Sequence, residues 1–141
     1  MELEVRGMQI MVIDGQGGGM GRQLVAEIKT AFPACTVRAV GTNSAASAAM
    51  RKAGADITAT GENAVVVGAR KAQVIVGPVG IVIADALNGE ITPKMALAVC
   101  QSDAKRVLIP VNQCDNLVAG VGEQPLGRLI DSALALIRQS M

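Results

Sequence analysis

Asp14 is followed by five glycines within residues 15–21, namely Gly15, Gly17, Gly18, Gly19 and Gly21. Backbone stripped of side chains can turn tightly and bring its N–H groups against a ligand. A carboxylate beside such a turn could serve as general acid or base, or hold a metal ion on a ligand phosphate. Upstream, residues 10–13 (IMVI) form an apolar run of the length of a buried strand. Downstream, Met20, Leu24, Val25, Ile28 and Phe32 recur at the three-and-four spacing of a helix face. A strand, a glycine loop and a helix N-terminus together offer unpaired donors and a partial positive charge to an anion. The stretch therefore predicts a phosphate-bearing ligand held by Gly15, Gln16, Gly17, Gly18, Gly19, Met20 and Gly21. The alternative is a strand-to-helix turn that binds nothing.

The glycine spacing narrows the choice. A dinucleotide fingerprint with glycines at positions one, three and six fails, because Met20 or Arg22 occupies the sixth position. Positions one, five and seven do fit, as Gly15, Gly19 and Gly21, with Met20 between the last two. This loop resembles that of short-chain dehydrogenases. Their chemistry, however, needs a tyrosine four residues before a lysine, and the chain has no tyrosine. It is also too short to carry a dehydrogenase's usual substrate domain. No Gly-Lys-Ser/Thr triplet occurs, so the phosphate loop of nucleoside triphosphatases is absent. An NAD-type site would place an acid at the end of the second strand to hold ribose hydroxyls. Gly41, Thr42, Asn43 and Ser44 stand there instead, which favours an adenosine 2′-phosphate, as in NADP(H), or a different nucleotide.

The remaining chain reads as alternating elements. Strands are expected over 36–40, 56–59, 74–76 and 107–111, with a short sixth over 117–121. Helices are expected after Thr42-Asn43-Ser44, from about Thr60 through the valines 65–67, over 81–87 before Asn88-Gly89, from Thr92-Pro93 to about Ser102, and from Pro125 onward. This is the pattern of a single α/β domain with a doubly wound, mainly parallel sheet of five to six strands in the order 3-2-1-4-5. Ligands of such sheets lie beyond the carboxyl ends of the strands. The loops expected there carry Thr42 and Asn43, Glu62 and Asn63, Gly77, and Asn112. Asp14 and Glu62 are the candidate catalytic carboxylates. Cys114 also falls on that side, but a chain with no histidine lacks the ordinary base to make its thiolate, and an inert cysteine is the expectation.

Composition excludes several classes. Half of the 141 residues are hydrophobic, yet Phe32 is the sole aromatic, and the net charge is +1. With no basic run longer than two residues and no stacking aromatics, nucleic-acid binding is not expected. No apolar stretch is long enough to cross a membrane, and the first residues do not read as a signal peptide. Three cysteines without paired spacing and no histidine argue against a structural metal site. These features predict a cytoplasmic protein. So large an apolar fraction on a small chain predicts self-association, most simply as a homodimer, through residues 81–87 and the last helix.

The motifs IDGQGGGMG (13–21), GTN (41–43), KAGAD (52–56), ATGENA (59–64), GPVGI (77–81), GEITP (89–93), LIPVN (108–112) and PLG (125–127) span nearly the whole chain. Together they resemble a small family of bacterial proteins known only as a domain of unknown function. The resemblance implies a Rossmann-like fold without an assigned activity. It also makes Asp14, Gln16, Thr42, Asn43, Glu62, Asn63, Glu90 and Asn112 the leading site positions. Two functions of different class are thus expected: a nucleotide- or dinucleotide-binding module or sensor, and a small enzyme acting on a phosphorylated or polar metabolite through Asp14 and Glu62.

Overall fold

The computed structural model describes residues 6–111 and 116–141. Its centre is β1 (Gln9–Asp14), whose last five residues are buried. β1 lies between β2 (Thr36–Gly41) and β4 (Val74–Pro78), while β3 (Ile57–Thr60) and β5 (Lys105–Ile109) form the edges. All four pairings are parallel and give the order β3-β2-β1-β4-β5. The register brings Asp14 level with Gly41, and Gly41 level with Thr60, so the loops after β1, β2 and β3 leave from one edge.

Alternation along β1 assigns the two faces. Ile10 and Val12 point to a cluster with Leu24, Val25 and Ile28 of α1 (Gly19–Ala31), Met50 of α2 (Ser44–Lys52), and Ile130, Ala133 and Ile137 of α5 (Leu126–Gln139). Met11 and Ile13 face the other cluster, built with Val65 and Ala69 of α3 (Glu62–Lys71) and Met95, Ala96 and Val99 of α4 (Pro93–Gln101). The helices change face after β3, because a right-handed crossover from β3 to β4 must pass on the side opposite to α1 and α2. The order consequently reverses beside β1, between it and β4. Such a sheet is α/β and Rossmann-like.

Two expectations change. Residues 81–87 do not form a helix: a 3-10 turn, Val79–Val82, opens a run of turns to residue 90. The backbone is left-handed at Asp85, Leu87, Asn88 and Gly89, which no helix allows. Residues 117–121 form no sixth strand. They have no neighbouring strand to pair with, and Leu117 is 95% exposed. Within 81–87, Ile81 and Leu87 are buried in the second cluster, whereas Ala84 and Asp85 are exposed. The valine-bearing segment 65–67, by contrast, is helical within α3, where tertiary packing of Val65 overrides weak propensity. Among the described residues, no helix is long and apolar enough to cross a membrane.

Candidate functional site

Asp14 ends β1 and turns its carboxylate back onto the glycine loop. Its Oδ1 accepts the Gly15 N–H at 2.8 Å and its Oδ2 the Gly21 N–H at 2.6 Å. Gly21 is the third residue of α1, so this carboxylate caps the helix from four residues before the N-cap. The N-cap itself, Gly18, has no side chain to do so and sits in the left-handed region at φ 74°. A Cβ there would stand 2.7 Å from the Ala46 Cα, so both angle and space require glycine. Asp14 is only 7% exposed. Burial pushes its carboxyl above the usual 3.8, the N–H groups of Gly21 and Gly15 pull it part of the way back, and the negative Glu90 adds to the rise.

The loop's donors divide into two sets. Gly18 N–H closes a turn onto the Gly15 carbonyl, and Gly15 and Gly21 donate to Asp14. The N–H groups of Gly17, Gly19 and Met20 have no partner among the described residues. Gly17 and Gly19 are exposed, and the position of a Cβ on either is open space. Arg22, in the first turn of α1, is exposed and has no ion pair among the described residues.

Beside this opening, Glu90 joins three segments. Its Oε1 accepts the Gln16 N–H at 2.8 Å, the Asn43 Nδ2–H at 3.0 Å and the Thr42 hydroxyl. The Asn43 amide also donates to the Gln16 carbonyl at 2.9 Å, while its Oδ1 caps α2 by accepting the Ala46 N–H. The Thr42 hydroxyl, followed by the Gln16 N–H and with help from Asn43, holds the Glu90 carboxyl below the usual 4.5 against a smaller effect of burial. A carboxylate therefore does stand at the end of β2. It arrives from the connection between β4 and α4 rather than from β2 itself.

Glu62 lies apart from this group. Its Oε2 accepts the Thr92 hydroxyl at 2.5 Å, tying the start of α3 to the N-cap of α4. No hydrogen bond among the described residues joins it to Asp14 or to the glycine loop. Asn63 is exposed at the second position of α3 and makes no side-chain hydrogen bond among the described residues. Gly77 lies within β4, where a Cβ would come 2.5 Å from the Ile13 carbonyl oxygen, so glycine is needed there for strand packing. Asn112 and Cys114 lie outside the described residues.

Residues 9–141 match the family described as Domain of unknown function (DUF3842). The chain belongs to this family. No curated protein and no solved structure matched it. The DUF3842 chain thus gathers Asp14, the glycine loop, Thr42, Asn43 and Glu90 beside the reversal of strand order, and leaves Glu62 and Asn63 apart at the start of α3. Two cavities among the described residues lie elsewhere. One of about 690 Å³ is lined by Pro110, Val111, Val121, Pro125 and Leu129 at the end of β5. Another, of about 330 Å³, lies between α3 and α4, lined by Val66, Arg70, Lys94 and Leu97. Neither includes a glycine-loop residue. The loop has the stronger chemical claim.

Sequence spacing located the loop and the residues after β2. It did not place Glu90, a leading position through its motif, beside the loop, because the residue's partners are 47, 48 and 74 positions away. The one signal was its place in the GEITP motif. Ser47 was missed as well. Its hydroxyl bridges the Asn43 and Ala59 carbonyls and the Thr60 hydroxyl, joining the start of α2 to the end of β3.

Proposed function

We propose that this DUF3842 protein is a binding module for a phosphate-bearing ligand, a nucleotide or dinucleotide, seated on the glycine loop. The observation that carries this reading is the set of N–H groups of Gly17, Gly19 and Met20 without a partner among the described residues. They lie at the N-terminus of α1, beside the reversal of strand order, and a Cβ on Gly17 or Gly19 would meet open space. Backbone donors and a helix dipole meeting at that place suit a phosphate oxygen. Arg22, in the first turn of the same helix, supplies a positive charge with no ion pair among the described residues.

A module is favoured over an enzyme working through Asp14 and Glu62. Both oxygens of Asp14 are engaged in holding the loop, and Glu62 is bonded to Thr92 without a link to Asp14. Thr42 and Asn43 already hold the Glu90 carboxylate, so a 2′-phosphate of NADP(H) would reach them only by taking its place. The test is a thermal-shift series with phosphate, pyrophosphate, ADP, ATP, GTP, NAD(H) and NADP(H). At least one of them should raise the melting temperature in a concentration-dependent manner. No shift with any of them rejects the reading.

A further inference from the structure

Three donors from two separate segments meet at one oxygen of Glu90: the Gln16 N–H, the Thr42 hydroxyl and the Asn43 amide. Convergence of that kind is what recognition of a ligand oxyanion requires. Here the oxyanion is the protein's own. It is brought in by residues 83–91, whose backbone is left-handed at Asp85, Leu87, Asn88 and Gly89, three of them not glycine. Such conformations persist only while their surroundings hold them, and they gather in segments that switch. The holding contacts fall partly on the loop. A Cβ on Gly15 would lie 2.7 Å from Glu90 Oε1 and 3.0 Å from Leu87 Cδ1, so these two side chains lie directly on the first residue of the loop. The outer oxygen, Oε2, accepts no hydrogen bond among the described residues.

We propose that Glu90 is an internal anion filling a phosphate pocket made by Gln16, Thr42 and Asn43, and that a ligand phosphate displaces it and lifts residues 83–91 from the glycine loop. The inference rests on the loop being a phosphate site. A phosphate entering beside Gly17 and Gly19 meets the Glu90 charge while the three best-placed donors are occupied. Removing the carboxylate ends the repulsion and opens the donors together. The same side chain acting as a ligand contact, for instance on ribose hydroxyls, would have the opposite effect on affinity.

The experiment is calorimetric titration of inorganic pyrophosphate and ADP into the native protein, Glu90→Gln and Glu90→Ala, with hydrogen exchange of residues 83–91. Glu90→Gln retains an amide oxygen that can accept from Gln16 and Asn43, and so keeps the test open if Glu90→Ala fails to fold. Both variants should bind pyrophosphate more tightly than the native protein, Glu90→Ala by about tenfold or more, the effect expected when a charge-assisted competitor is removed. In the native protein, pyrophosphate should speed exchange at residues 85–90. Native binding with equal or weaker affinity in the variants, or with unchanged exchange at 85–90, overturns the displacement and leaves the phosphate site standing. Absence of binding in all three proteins overturns both.

Discussion

Asp14 shows how a residue with catalytic chemistry becomes a brace. Its two oxygens accept the N–H groups of Gly15 and Gly21, so the strand end and the first turn of α1 are fixed by one side chain. Asp14→Ala leaves both donors without that partner, and an unsatisfied buried donor costs about 1–3 kcal/mol. Relief of the buried charge offsets part of this, and the net loss at neutral pH should be about 1–3 kcal/mol by urea denaturation. The acid limb of stability separates Asp14 from Glu90. The raised carboxyl of Asp14 opposes folding once ionised, so its contribution improves as pH falls through its folded value towards 3.8. Glu90 has a lowered value. Its contribution is fully present above 4.5 and is lost as pH falls through its folded value. Asp56 behaves in the same sense: burial would raise it, but the Val37 N–H and the Lys29 ammonium together bring it below 3.8. Glu90→Gln should therefore flatten the fall in urea midpoint on acidification below about pH 5. An unchanged slope would mean that Glu90 is not held by its three donors in solution.

At the scale of elements, the glycines of one loop separate into those the fold needs and those a ligand would need. Gly18→Ala puts a Cβ 2.7 Å from the Ala46 Cα on a left-handed residue and should lower stability by about 2 kcal/mol or more. Gly17→Ala meets open space at an ordinary φ and should change it by about 0.5 kcal/mol or less. Comparable losses in the two variants would refute this division. The same contrast explains what was legible beforehand. The strands announce themselves as continuous apolar runs, because a parallel strand is buried on both faces. Thr92 and Pro93 mark the start of α4 chemically, through a cap that accepts the Met95 N–H. Residues 81–87 misled because an apolar run before Asn88-Gly89 looks like a capped helix, whereas those two residues continue a series of left-handed turns. Residues 117–121 have strand-like composition but no partner strand, which is a property of the whole sheet. The position of Glu90 was hidden for a related reason: β4, the 3-10 turn and the left-handed run must all be in place before it reaches Thr42.

At the scale of the molecule, a parallel sheet with its reversal beside β1 gathers loops from distant parts of the chain at one edge, and that edge carries the proposed site. The opposite concern is what else the surface does. Leu136 on α5 is 45% exposed and Leu97 on α4 is 54% exposed. We expect self-association through the last helix, with light scattering at micromolar concentration giving the mass of a dimer, and a monomeric mass would reject it. The central claim concerns the loop, and Gly19 tests it most directly. As the first residue of α1, with an ordinary φ and open space around its Cβ position, it can take a larger side chain without disturbing the fold. A valine there would cover the N–H groups of Gly19 and Met20, where charge-assisted bonds to a phosphate contribute about 1.5–3 kcal/mol each. The decisive measurement is pyrophosphate and ADP affinity of Gly19→Val beside the native protein, with folding checked by far-ultraviolet circular dichroism. The account predicts an unchanged spectrum and binding weakened by about tenfold to a hundredfold or beyond; a folded variant that binds as tightly as the native protein would contradict it.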